Sequence, residues 1–233
     1  MEKNAGAQRD IQNYITSIMN RMVQVITNPM GFYRSMPKTG GLVEPMIFMI
    51  AMGLIAGVLR TIISVLGLGL TGSSMMGAAS IILMPIFVTI FGFVGAAILY
   101  VIWRLMGSGE SFEVAFRCGA YATAISPITS LISLVPYLGG VVGLVWMAYL
   151  MVVASTEVHK LRARTAWIVF GAIFVVFGLM SLSSEIAGRR VASKMGKLEK
   201  EIGKIGEMTP EEAGRKVGEF LKGLQERSGK DKQ

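Results

Sequence analysis

The sequence predicts an all-α fold, a polytopic membrane bundle of five transmembrane helices with amphipathic helices at both ends. Three observations predict it. Hydrophobic residues make up 52% of the chain and charged residues only 16%, and the mean hydropathy of +0.56 lies outside the range of soluble domains. Between Pro45 and Ser183 the charged side chains gather almost entirely in two short loops. The apolar runs between them have about the length that a hydrocarbon core roughly 30 Å thick demands. They also lack the two-residue alternation of barrel strands, so helices must satisfy their backbone.

Composition divides the chain into an N-terminal region (1–44), a membrane domain (45–183) and a basic tail (184–233). No continuous apolar block precedes Met46, so the first span is expected to act as an uncleaved insertion signal. Ile11, Ile15, Ile18, Met22 and Val25 recur at helical spacing and predict an amphipathic helix over residues 10–27, stopped by Asn28-Pro29. That helix either lies on the membrane or packs onto the bundle.

The expected spans are Pro45 to Leu66, Ser80 to Ile102, Gly119 to Val135, Leu138 to Ser155 and Ala166 to Ser183. Arg60 sits near the far end of the first, where its long stem can carry the charge to the interface. Pro85 falls in the first turns of the second, where a missing N–H costs least. Gly92 with Ala96, and Gly139 with Gly143, stand four apart and read as close helix contacts.

The third span is the most polar, with Thr123, Ser126, Thr129, Ser130 and Ser133 around Pro127. Hydroxyls there can bond to helix carbonyls, including the one that Pro127 leaves free. Ser111 is placed to cap its entrance, and Glu113 with Arg117 forms an i,i+4 pair in the favourable order. "LVPYLGG", with Pro136, leaves room only for a tight hairpin. In the tail, Val191, Met195, Leu198, Ile202 and Ile205 repeat the helical rhythm. "TPEE" then offers Thr209 as the N-cap of a last helix.

Lysine plus arginine counts in successive exterior segments are five, zero, two, zero, three and twelve. The first five alternate and place the N-terminus and both charged loops in the cytoplasm. The twelve-cation tail breaks the pattern. A re-entrant third span would bring that tail back to the cytoplasmic side.

Few chemistries are open to this composition. With one cysteine, Cys118, and one histidine, His159, no disulfide or short-spaced metal motif can form within the chain, and no cofactor is expected. "GSGES" is glycine-rich but reads as a flexible link and N-cap rather than a phosphate loop. The spans are nearly free of acids and bases, which argues against a proton-coupled pump and leaves neutral-solute passage along the hydroxyls open. The net charge of +8 lies beside apolar spans, so it points to lipid head groups rather than nucleic acid.

"SFEVAFRCGAYATAISP", "LISLVPYLGGVVGLVWMAYLMV" and "EVHKL", with "NPMGFYRSMPKTGGLVEPMIF" upstream, resemble the prokaryotic branch of the Yip-one domain family, related to Rab/Ypt-interacting membrane proteins. The shared run is an acidic-aromatic helix start, an Ala-Tyr-Ala-Thr-Ala-Pro segment, a Pro-x-x-Gly turn, a tryptophan-bearing span and a histidine beyond. Here Ile125 and Ser126 delay the proline to 127, and the tail past Arg189 has no counterpart. The resemblance implies five spans, a cytoplasmic N-terminus and a role without catalysis. Its eukaryotic relatives act in vesicle traffic with Rab proteins, a role not carried over to this chain.

The expected function is a non-enzymatic multipass protein that organises or remodels membrane through partners, these being lipids, itself or other membrane proteins. The expected site is an integral membrane, the cytoplasmic one if the source is prokaryotic. Candidate surface residues are Glu113, Arg117, Tyr121, Pro127, Pro136, Glu157, His159 and Lys160. The alternative is a small-solute transporter or lipid-handling protein, with a cavity lined by Thr123, Ser126 and Ser130.

Overall fold

The computed structural model describes residues 2–66, 74–135 and 137–206, and it divides into two units, 1–183 and 184–233. Every regular element among the described residues is helical. In the first unit, α1 (Glu2–Thr27) ends where Asn28 breaks the run and caps α2 (Pro29–Ser35), its Oδ1 accepting from Gly31 N–H at 3.0 Å. Pro29 opens α2 without loss because its missing N–H falls in the first turn. A Cβ at position 31 would crowd the Asn28 side chain, which would then have to shift.

Next come α3 (Val43–Val65) and α4 (Ser74–Leu105), which form the most extensive helix pair. Phe48, Met49, Met52, Gly53, Ala56 and Gly57 form the inward face of α3, while Leu54, Val58 and Ile62 point out. In lipid, burying apolar area gives no net drive, so close packing holds such helices together. Gly53 provides it: a Cβ there would stand 3.2 Å from the Pro85 Cα. Because α4 begins at Ser74, Pro85 lies inside the helix rather than in its first turns, and the interior break is accommodated beside Gly53. Gly92 receives the Met49 thioether in the same way.

The expected third span is not one α-helix. α5 (Phe112–Ala122) passes into a 3-10 turn (Thr123–Ile125) and then α6 (Ser126–Ile132). Pro127 is the cause, since its ring clashes with the carbonyl four residues back and it has no N–H to offer Thr123. The Thr123 carbonyl instead accepts from Ser126 N–H, the shorter 3-10 bond. α7 (Leu138–Glu157) returns, with Gly139 on the Ser133 backbone and Gly143 on the Thr129 methyl. α8 (Ala163–Gly206) follows.

Among the described residues, four helical stretches are long and apolar enough to cross a membrane: Val43–Val65, Ile81–Leu105, Leu138–Glu157 and Ala163–Gly188. In the second unit, residues 184–206 are helical, and Val191 and Met195 are exposed. Pro136 and the Thr209 cap lie outside the described residues.

Candidate functional site: the polar loop junction

At one end of the first unit three connections meet: residues 36–42 between α2 and α3, 106–111 between α4 and α5, and 158–162 between α7 and α8. Lys38 Nζ bridges all three, pairing with Glu110 Oε1 at 2.5 Å and donating to the Val158 carbonyl at 3.3 Å. Gly40 and Gly41 take φ of 115° and 80°, which only glycine adopts freely, and so aim the backbone at α5. Gly41 N–H donates to Glu113 Oε1 at 2.7 Å, and its carbonyl accepts from Arg117 Nη2 at 2.8 Å. Arg117 Nε closes the ring to Glu113 at 3.3 Å, the i,i+4 pair legible in the sequence.

Arg117 is buried, with 1% of its surface exposed, and its Nη1 has no partner among the described residues. Such a charge is held by its bonds to Glu113 and Gly41 rather than by water. Nearby, Arg34 Nε meets Glu157 Oε2 at 2.9 Å, and Tyr33 donates its hydroxyl to the Cys118 carbonyl at 3.0 Å. Burial holds the Tyr33 phenol well above its ordinary range, so it stays a donor.

The second half of the junction is aromatic. His159 stacks on Trp103 with centroids 4.0 Å apart, and its Nδ1 lies 2.7 Å from Ser108 Oγ. Ser108 Oγ also accepts from Glu110 N–H at 3.2 Å, so one hydroxyl links the loop backbone to the imidazole. Burial, opposed by nearby Glu110 and reinforced by Lys38, lowers the His159 pKa to about 4. Trp103 Nε1 donates to Ser155 Oγ at 2.8 Å, which in turn donates to the Met151 carbonyl at 2.6 Å. Lys160 adopts φ of 56° directly after this histidine, and Leu161 N–H returns to the Ser155 carbonyl at 2.9 Å. That backward bond, six residues long, closes the end of α7 with Lys160 in the left-handed conformation that glycine adopts more freely.

The structure brings Glu113, Arg117, Glu157, His159 and Lys160 to this end but gives them unequal exposure. Lys160 is exposed, Glu113 and Glu157 are partly covered, and Arg117, Tyr121, Pro127 and His159 are buried. Arg117 and His159 brace the loops from within. Tyr121 packs edge-on to Phe32 and Phe48.

Sequence reasoning missed Lys38, Ser108 and Ser155 as organisers. A tryptophan at the end of a span, Trp103, was the available signal, because a buried indole N–H demands an acceptor.

The Ser108–His159 contact has two members of a hydrolytic triad, yet both side chains are buried and His159 Nε2 finds no partner among the described residues. No group of three or more His, Cys, Asp or Glu among the described residues could hold a metal ion. The third-span hydroxyls turn back on their own segment: Thr123 donates to the Ala120 carbonyl, Thr129 and Ser130 to Ser126, and Ser133 to Ser130. A cleft of about 730 Å³ does occur, but it lies between α7 and α8 with an almost wholly apolar lining that includes Trp146, Trp167 and Phe174.

Long apolar helices in an all-helical bundle, closed at one end by interlocked polar loops, define an integral multipass membrane protein. Residues 23–184 match the family described as Yip1 domain, and the chain belongs to that family. Comparison with curated proteins and with solved structures gives no match.

Proposed function

We propose that this Yip1-domain protein is a non-enzymatic membrane organiser that works through partner proteins, itself included, docking at the polar loop junction. The observation that carries this reading is the cross-bracing of three loops by Lys38, Arg117 and the Ser108–His159 contact. Loops fixed in advance lose little entropy when a partner binds, which is what a docking surface requires. Arg34 and Lys160 supply its exposed cations, rimmed by the carboxylates of Glu113 and Glu157.

The same reading takes the chain across the bilayer five times, with its N-terminus and the junction in the cytoplasm. Support comes from the two ends of the α5–α6 segment. Glu110 precedes it at the junction, while Ser133, just after it, meets Gly139 at the far end of α7. From Glu157 to Gly139 is roughly 27 Å at about 1.5 Å per residue, close to the thickness of the hydrocarbon core. The lysine and arginine counts of the first five exterior segments agree with that orientation.

Crosslinking and pull-down from gently solubilised membranes tests the docking role. The expected result is a recovered partner, or a second copy, whose recovery falls in an Arg34→Glu/Lys160→Glu variant. Recovery of nothing, not even itself, from correctly inserted protein contradicts it.

A further inference from the structure

α1 has more apolar surface than the bundle uses. At about 100° per residue, its apolar positions sweep an arc of roughly 160°. One flank, Ile18, Met22 and Val25, packs against the core, as does Ile26 near the C-terminal end of the helix. The other flank, Ile15, Met19 and Val23, is 55%, 39% and 49% exposed. Asn13, Ser17, Asn20 and Gln24 occupy the opposite side of the helix, and all but the partly covered Ser17 are exposed. The helix thus has three faces: one for the bundle, one apolar and open, and one polar and open.

Its depth says what covers the open apolar face. α1 packs against α2, α5 and the 3-10 turn. That turn lies about four residues before Thr129, whose methyl meets Gly143. Counting along α7 from Glu157 at about 1.5 Å per residue puts Gly143 roughly 21 Å, and the turn roughly 14 Å, from the loop end. A head-group layer is only about 5–8 Å deep on each side. The part of α1 that touches that turn therefore lies at acyl-chain depth, while Arg21, paired with Glu44 in the first turn of α3, keeps the helix at the interface.

We propose that α1 is an interfacial helix sunk into the leaflet on the junction side, with Ile15, Met19 and Val23 in contact with lipid acyl chains and its polar face toward water. This rests on the traversal reading above for its depth. The partner is the lipid surface itself. An inserted helix of this kind adds area to one leaflet only, a physical route by which the protein biases membrane shape.

The test uses full-length protein in phosphatidylcholine/phosphatidylglycerol vesicles. Met19→Cys, Val23→Cys and Asn20→Cys are each labelled with an environment-sensitive fluorophore, and Cys118 is left in place because it is buried. Lipids brominated on the upper acyl chain should quench positions 19 and 23 several-fold more than position 20, and aqueous iodide should do the reverse. Equal iodide access at 19 and 20 overturns the proposal. So does a disulfide between copies through position 19, which would make a second copy the occupant. Leu138→Cys and Lys160→Cys, probed with an impermeant thiol reagent, separate the two claims. Labelling from opposite sides with position 19 unquenched sinks only the lipid contact, whereas labelling from one side sinks the traversal reading while quenching at 19 still reports the lipid contact directly.

Discussion

Ser108 Oγ and His159 Nδ1 lie 2.7 Å apart and fasten the loop after α4 to the loop after α7, directly over the Trp103 ring. Removing one member leaves a buried polar atom unpaired, whereas removing both spares that cost. Ser108→Ala should therefore lower stability by about 1–3 kcal/mol. Ser108→Ala/His159→Phe, which keeps an aromatic ring on Trp103, should recover the part of the loss due to the orphaned imidazole, the Glu110 N–H still lacking its Ser108 acceptor. Thermal denaturation of detergent-solubilised protein reads both, and strict additivity of the two changes would contradict the coupling.

The same histidine predicts a pH dependence. Its pKa falls from 6.5 to about 4 on burial, so the unfolded chain binds the proton at higher pH than the folded one. Its contribution is complete above the unfolded value and is lost as pH drops from there toward the folded one. From about pH 7.5 to pH 5 the loss should approach roughly 2 kcal/mol. Melting curves across that range should flatten in His159→Phe; an unchanged slope would contradict the assignment.

Arg117 and Arg34 form ion pairs of different kinds. Arg117 is buried and holds the Gly41 carbonyl together with Glu113, whereas the Arg34 side chain is 69% exposed. Arg117→Ala should cost roughly 3 kcal/mol, since it strips a buried network of one partner. Arg34→Ala should change stability little. Equal melting shifts for the two would show that burial does not set their weight.

Glycines separate in the same manner. A Cβ on Gly139 would stand 2.7 Å from the Ser133 backbone, while one on Gly95 meets nothing within 4 Å. Gly139→Ala should destabilise by about 1–3 kcal/mol through forced movement of the hairpin. Gly95→Ala should be neutral or stabilise by up to about 1 kcal/mol through helix propensity. Detergent-resistance half-lives at fixed temperature provide the comparison.

Lys160 holds a left-handed conformation that costs a lysine but not a glycine. Lys160→Gly should raise the melting temperature by an amount equivalent to about 1 kcal/mol. A decrease would mean that the lysine side chain itself holds the end of α7.

Hydrophobic run length made most of the fold legible: four of the expected spans correspond to helices long and apolar enough to cross. The Asn28-Pro29 stop and the Ser111 cap were also readable, because each depends on a local hydrogen bond. Pro127 marked a weak point in the third segment, but only its geometry reveals that the backbone, rather than the hydroxyls, takes up the freed Thr123 carbonyl. The junction was half legible. Glu113 and Arg117 are neighbours in sequence, whereas Lys38 lies 72 residues from Glu110 and Ser108 lies 51 from His159, separations at which no local pattern survives. Exposure was the least legible property, since a charged residue such as Arg117 reads as surface until its partners are seen.

Sidedness of the two termini tests the central claim of five crossings most directly. A reporter active on one side of the membrane only is fused in separate chains before Met1 and after Gln233. The account predicts activity from one fusion and none from the other, with the N-terminal fusion on the cytoplasmic side. Activity from both would mean an even number of crossings and would contradict it.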